Sequence, residues 1–362
     1  MPNIFIDDLT ASGAGIGAFD GLKVFVDGAL PGETVSCEIT EHKKRYSKAK
    51  LLKIIEASKQ RQQPICPLFG SCGGCQLMHL NYEGQLEWKR KRVFDALTRI
   101  GQLDVDVEPC HPSLKQLGYR NKVHLHRGGF HKRHSHDIVP VKKCYIHNPV
   151  GDAMLGNAKE MVIKSTFTTN EVMVIKNGKP DRPYITEKLG ALQFRIRPKD
   201  FFQINPVAAH ELYKQVIELA EIDASHRVLD AYCGVGGLAL FAAQKAKHVH
   251  GIECVKTAIH TAKENARLNG IDNVTFSCQR MEHVSNIDQF DTVFLNPPRG
   301  GVDPAVLARC QAKRLIYVSC DPATLARDLG KLIDRYQIET VIPFDLFPQT
   351  VHVETVVSLS RR

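Results

Sequence analysis

The chain has 362 residues, 43% hydrophobic and 24% charged, enough for two or three globular domains with sizeable cores. No stretch reaches the ~18 uninterrupted apolar residues of a membrane span, and Asp7 and Asp8 stand where a secretion signal would carry basic residues and an apolar block. A cytoplasmic protein without a membrane segment is therefore expected, acting as a monomer, with its eleven cysteines serving as reduced thiols, metal ligands or catalysts and not as a disulfide scaffold. The charge is lopsided. Residues 1–192 hold 28 Lys+Arg against 20 Asp+Glu, net +8, whereas residues 193–362 hold 20 against 19, net +1. Such a basic first half suits a polyanion, because neutralised phosphates supply most non-specific nucleic-acid affinity.

Residues 1–57 read as a small all-β barrel. Short apolar runs, Leu22 to Val26 and Val35 to Ile39, are punctuated by Asp20-Gly21, Asp27-Gly28 and Pro31-Gly32. The barrel segment carries the basic run His42-Lys43-Lys44-Arg45-Tyr46-Ser47-Lys48, an aromatic among cations as on surfaces that track single-stranded nucleic acid; an edge strand protected by lysines has the same composition. Residues 58–192 form a central α+β region that opens with cysteine-rich loops. A helix is expected over 84–100, with Leu86, Val93, Leu97 and Ile100 on an apolar face and Lys89, Arg90, Lys91 and Arg92 as a positive patch. A hairpin around Gly128-Gly129 follows, rich in basic residues and in histidines (His124, His126, His131, His134 and His136) that show no fixed metal-ligand spacing. From 193 to 362 strands alternate with helices: 227–229, 249–252, 274–276, 292–295 and 314–318 read as strands and 257–268 as a helix, the pattern of a doubly wound α/β, Rossmann-like domain.

Three segments of that last domain carry chemistry. Gly234, Gly236 and Gly237 follow the apolar strand Val228-Leu229-Asp230, a turn at which bare backbone lets a cofactor approach; Glu253 ends the next strand, where an acidic side chain holds ribose hydroxyls. NAD, FAD and S-adenosylmethionine sites all use this pairing, and the glycine spacing favours S-adenosylmethionine. Cys320 emerges from the run Leu315 to Val318 into a loop, the place of a nucleophile in an open α/β sheet, although a lone cysteine is more often a small buried apolar residue. Glu354 lies in the apolar run Val351 to Leu359 and is either a site carboxylate or a strand-end surface charge. Cys66, Cys72 and Cys75, with the distant Cys144, can close a tetrahedral thiolate cage for Zn²⁺ or an iron–sulfur cluster, which the spacing does not separate.

Taken together, the Phe201-Phe202-Gln203-Ile204-Asn205-Pro206 segment, Asn296-Pro297-Pro298-Arg299, the Cys320 segment and His352-Val353-Glu354 resemble the RNA uracil-C5 methyltransferase family, and residues 1–57 resemble its TRAM domain, an RNA-binding barrel. The resemblance implies methylation of carbon 5 of a uridine, with large-subunit (23S) ribosomal RNA as substrate or, alternatively, transfer RNA. It implies that Gln203, Tyr232, Glu253 and Asn296 contact S-adenosylmethionine, that Cys320 is the nucleophile and Glu354 the base, and that Cys66, Cys72, Cys75 and Cys144 hold a [4Fe–4S] cluster. Asn296 departs from the Asp of many members, and Asn-Pro-Pro also occurs in enzymes that methylate exocyclic amines. Those usually place an aromatic next, where this chain has Arg299. Radical methylthiotransferases also join a TRAM barrel to iron–sulfur, but need three cysteines more closely spaced than Cys66, Cys72 and Cys75; a non-catalytic RNA-binding protein gives no reason for Cys320 and Glu354 to occur together.

Overall fold

The computed structural model describes all 362 residues, which divide into two compact units. The first comprises residues 1–88, 130–140 and 348–351; the second comprises 89–129, 141–347 and 352–362.

In the first unit, β1 (Asn3–Leu9), β2 (Gly15–Phe19), β3 (Leu22–Asp27), β4 (Thr34–His42) and β5 (Tyr46–Glu56) close into a barrel ordered β1-β2-β3-β5-β4. Inward residues at period two build its core, among them Ile4, Ile6, Val24, Val26, Val35 and Cys37. The β4–β5 connection carries the basic run. Glu41 sits between Lys43 (2.5 Å) and Lys48 (2.7 Å), and these bonds hold its carboxyl down at about 2, leaving Lys44 and Arg45 as exposed charges.

Helix α1 (Tyr82–Arg99) forms where the period of the sequence expects it, but its buried face differs from the expected one. Gln85, Trp88, Lys89, Val93 and Leu97 point inward, while Ile100, just past its end, is 53% exposed. Lys89 is thus no part of a surface patch. It is completely buried and donates to Asp345 at 2.5 Å.

Beyond the helix the chain forms β6 (Lys122–His126), β7 (Gly129–His131), β8 (Ile138–Pro140), the short α2 (Pro149–Asp152), β9 (Glu160–Ser165), β10 (Val172–Lys176) and β11 (Lys179–Pro180). The β6–β7 turn is the expected hairpin, with Arg127 at φ +49° and Gly128 at φ +76°. Strands β11-β10-β9-β6 lie side by side and antiparallel; β12 (Ile185–Leu189) and β13 (Leu192–Ile196) form a separate hairpin.

The rest of the second unit is an α/β sheet with α3 (Pro206–Leu219), β14 (Arg227–Asp230), α4 (Gly237–Ala243), β15 (His248–Glu253), α5 (Lys256–Leu268), β16 (Val274–Cys278), β17 (Thr292–Leu295), α6 (Pro304–Arg309), β18 (Arg314–Ser319), α7 (Pro322–Leu329), β19 (Tyr336–Phe344) and β20 (Glu354–Arg361). Their order is β16-β15-β14-β17-β18-β20-β19, parallel through β18 and antiparallel at β20 and β19. Alternate residues feed two cores: Val228, Phe294, Ile316 and Val356 face one, Leu229, Leu295, Leu315 and Val357 the other. A sheet covered on both faces explains why these strands read as continuous apolar runs. The order reverses between β14 and β17, so a crevice opens at the carboxyl ends of the strands. No helix is long and apolar enough to cross a membrane.

Candidate active site

That crevice holds a cavity of about 720 Å³, within the usual range for a small-ligand site. All its lining residues belong to the second unit, and the sheet order arranges them in a line. Tyr232 and Gly234 follow β14 and Glu253 ends β15; Asn296 to Arg299 follow β17; Cys320 follows β18; Glu354 opens β20. Gln203 joins from the segment before α3.

The juxtaposed thiol and carboxyl come from strand register. Ser319 on β18 is paired with Thr355 on antiparallel β20, so Cys320 and Glu354, the next residues outward, are brought side by side. Asp321 turns the chain at this point: its carboxylate accepts from the backbone N–H groups of Ala323 (2.9 Å) and Thr324 (3.0 Å) and caps α7, fixing the loop that carries the thiol. Glu354 is only 6% exposed, which removes the surface reading of this carboxylate. Burial pushes its carboxyl up to about 8, with Arg299 pulling the other way. Burial, then the adjacent Glu354 carboxylate, pushes the Cys320 thiol up to about 11, again against Arg299. The resting site at neutral pH therefore holds a thiol and a protonated carboxyl, with one guanidinium able to favour both anions.

The donor end is built from backbone and carboxylates. Gly234 has φ +53°, and a Cβ there would meet nothing within 4 Å, so bare main chain faces the cavity. Gly236, at φ +92°, lies behind the wall: a Cβ would point at Phe276, Ala262 and Leu240, so its part is to turn the chain into α4. Glu253 is fixed by accepting from the Val255 N–H at 2.9 Å. Gln203 hydrogen-bonds the hydroxyl of Tyr213, a buried residue at the cavity wall, and burial pushes that phenol upward. Sequence reasoning left Asp230 unassigned, though it precedes the glycine turn. Both its carboxylate oxygens are buried without a hydrogen-bond partner, and burial pushes the group up to about 7. An orphaned carboxylate beside bare backbone fits a ligand carrying an ammonium and hydroxyls, which suits S-adenosylmethionine.

The expected metal centre is not assembled. No group of three or more His, Cys, Asp or Glu side chains comes together that could hold a metal ion. Cys66, Cys72 and Cys75 belong to the first unit and Cys144 to the second; the Cys72 sulfur accepts from the Gly74 N–H at 3.4 Å within its own turn. The Gly-rich loop that carries the three thiols is closed by its own backbone bonds, including Cys72 N–H to the Leu68 carbonyl at 2.8 Å.

The doubly wound sheet, with a donor-sized cavity and a thiol and carboxylate at its carboxyl edge, has the architecture of S-adenosylmethionine-dependent methyltransferases. Residues 173–362 match the model of the tRNA (Uracil-5-)-methyltransferase family and residues 3–52 that of the TRAM domain. An uncharacterized RNA methyltransferase of Halalkalibacterium halodurans is 35% identical, with 98% of this chain and 96% of the relative covered. One from Caldanaerobacter subterraneus is 36% identical, covering 98% and 97%. The crystal structure of Pyrococcus abyssi tRNA (uracil-54, C5)-methyltransferase in complex with S-adenosyl-L-homocysteine superposes with a TM-score of 0.80 at 28% identity, covering 99% of this chain and 100% of that one. The chain belongs to this uracil-C5 methyltransferase family: it is an RNA methyltransferase with S-adenosylmethionine as donor and a TRAM barrel at its front.

Proposed function

We propose that the chain methylates carbon 5 of a uridine through a covalent adduct with Cys320, and that Glu354 removes the carbon-5 proton. The observation that carries this reading is the β18–β20 register, which sets one thiol beside one buried carboxylate in the donor cavity. S-adenosylmethionine, held by Gln203, Tyr232, Gly234, Glu253 and Asn296, supplies an electrophilic methyl group; Gly236 and Gly237 shape the turn beneath it.

The residues account for the remaining steps. Cys320 and Glu354 first release their protons to solvent; the Cys320 thiolate then adds to carbon 6 of the extruded uracil, and the C5=C6 electron pair moves toward O4, making carbon 5 nucleophilic. Arg299, which lines the same cavity, favours the thiolate and the enolate charge. Once carbon 5 bears the methyl group, the Glu354 carboxylate takes its proton, the electron pair re-forms C5=C6 and the C6–S bond breaks, returning the thiolate. Thiolate and carboxylate are both in place for another turn once that proton reaches solvent, and protons taken up from solvent return the resting thiol and carboxyl.

The large-subunit ribosomal RNA is the substrate we favour, because the TRAM barrel and the cysteines Cys66, Cys72, Cys75 and Cys144 resemble those of the ribosomal enzymes. Transfer RNA is the second reading, favoured by the Pyrococcus abyssi enzyme. We infer a cytoplasmic enzyme working as a monomer, in which residues 1–57 would dock RNA, 58–192 extend that contact and 193–362 catalyse. Unmodified 23S and transfer RNA transcripts, incubated with donor and digested for nucleoside analysis, decide between them: 5-methyluridine in the first supports the ribosomal reading, and in the second alone overturns it. A [4Fe–4S] cluster at Cys66, Cys72, Cys75 and Cys144 takes no part in these steps. Stoichiometric iron and sulfide in anaerobically purified protein, lost in Cys72→Ser, would install it.

A further inference from the structure

The connection from β19 to β20 is pinned more firmly than a linker requires. From Pro343 to Thr355 every residue is buried except Phe347 and His352, and both of these line the cavity. Their rings meet edge to face, with centroids 5.8 Å apart and planes at 73°. The backbone beneath Phe347 is held from several directions. Lys89 donates to Asp345 at 2.5 Å and to the Phe347 carbonyl at 3.1 Å, and the Phe347 N–H donates to the same Asp345 oxygen at 3.1 Å. Asn205 donates to the Leu346 carbonyl at 3.1 Å, and the Asp345 N–H donates to the His111 carbonyl at 2.9 Å. Taking a lysine and an aspartate wholly out of water costs several kcal/mol per ion before their attraction offsets it, so the pair is a poor way to gain stability and a good way to fix geometry.

The sheet order says what is being fixed. Donor-binding residues stand over β14 and β15, Asn296 to Arg299 over β17 and Cys320 over β18, while Phe347 and His352 enter from the β20 side. They therefore lie across Cys320 from the donor end. A uracil attacked at carbon 6 from above its plane must be held by its faces, and once extruded it has lost both stacking neighbours. An aromatic face replaces such a neighbour without reading sequence. His352 serves as a brace in its uncharged form, because burial and the cations Arg299, Arg92, Lys89 and Arg120 hold its ring down at about 4.

We propose that Phe347, braced by His352, is the surface on which the extruded uracil stacks for attack by Cys320. The inference rests on the uracil-C5 reading and adds a base-binding residue to it. Phe347 also packs against the core with its other side, a task that leucine or methionine performs equally well, so the aromatic ring is what must be tested.

The probe is 5-fluorouridine-substituted 23S and transfer RNA transcripts with donor present. Fluorine cannot leave carbon 5 as a cation, so the Cys320–C6 bond persists and each turnover is trapped. Phe347→Leu and Phe347→Met should form adduct about tenfold to a hundredfold more slowly at subsaturating RNA, from the measured worth of base–aromatic stacking. Phe347→Tyr should restore the rate to within about threefold, and S-adenosylhomocysteine affinity, the check on folding, should be the same in all. Leucine or methionine variants that trap RNA as fast as the wild type would overturn the proposal, as would a tyrosine variant no better than leucine. Should the wild type trap neither transcript while making product by another route, the uracil-C5 adduct reading itself fails, an outcome distinct from a Phe347 that does not matter.

Discussion

Burial holds both Cys320 and Glu354 far from the ordinary protonation range for their types, and Glu354 is a further cause of the thiol's shift. The Glu354 carboxylate raises the thiol and Arg299 lowers it. Glu354→Gln removes a negative neighbour, so its Cys320 should become a thiolate at lower pH than the wild type's about 11; Arg299→Gln removes the opposing cation and should move it higher. Alkylation of the Cys320 peptide by iodoacetamide across pH, followed by mass spectrometry, reads both shifts, and a midpoint unmoved in both variants would show that these charges do not govern the thiol. Glu354 also bears on stability. Its folded carboxyl, at about 8, lies above the ordinary glutamate value of 4.5, so the folded form binds a proton that the unfolded form has released. That contribution is fully present below the unfolded pKa and is lost as pH rises through about 8. Glu354→Gln should accordingly be more stable than the wild type at pH 9, by about 1–3 kcal/mol, the cost of an unsatisfied buried group, and show little difference at pH 5. Denaturant unfolding at the two pH values measures it; an equal effect at both would place the carboxylate in contact with water.

At the scale of elements, the site is a consequence of where strands end. The continuous apolar runs before Asp230, Glu253, Asn296 and Cys320 made those positions strand ends, and the sheet puts all four on one edge of the crevice. What the sequence could not show was which buried polar groups meet across it. Helix α1 illustrates this: its period was visible, but Gln85 and Lys89 are buried because their partners, Gln349 and Asp345, lie more than 250 residues away. No local pattern encodes such a pairing. Asp230 and Tyr213 escaped notice for the same reason, being ordinary strand and helix residues until burial isolates them. For the cysteines, spacing suggested a cage, and no group of three or more ligating side chains is found assembled for a metal. Breaking the buried pair tests its cost directly. Lys89→Met leaves Asp345 buried without its cation and should lose about 3–5 kcal/mol, while Lys89→Met with Asp345→Leu should recover most of it. Urea unfolding of both supplies the comparison, and a single variant as stable as the wild type would mean the pair is hydrated.

For the whole molecule, the basic excess of the first 192 residues lies in 58–192, because residues 1–57 hold 7 Lys+Arg against 8 Asp+Glu, and the barrel's cations are concentrated in one run. The run around residues 42–48 is less basic than its composition, because Glu41 engages Lys43 and Lys48. Lys44 and Arg45 remain for phosphate. Replacing both with alanine should weaken RNA binding and reduce the slope of log affinity against log salt by about 1.4, at about 0.7 per contact to single-stranded RNA, with S-adenosylhomocysteine binding untouched. An unchanged slope would show that the hairpin does not touch the backbone of the RNA.

The central claim is that one thiol and one carboxylate divide the reaction in time, and Glu354→Gln separates their turns. Its Cys320 can still add to carbon 6 and carbon 5 can still be methylated, but the carbon-5 proton has no acceptor and the adduct cannot resolve. Unmodified RNA, donor labelled in the methyl group and this variant should give a labelled protein–RNA band on a denaturing gel, absent when Cys320→Ala is added to the same chain. Full turnover to free 5-methyluridine with no such band would contradict the account and place the base elsewhere.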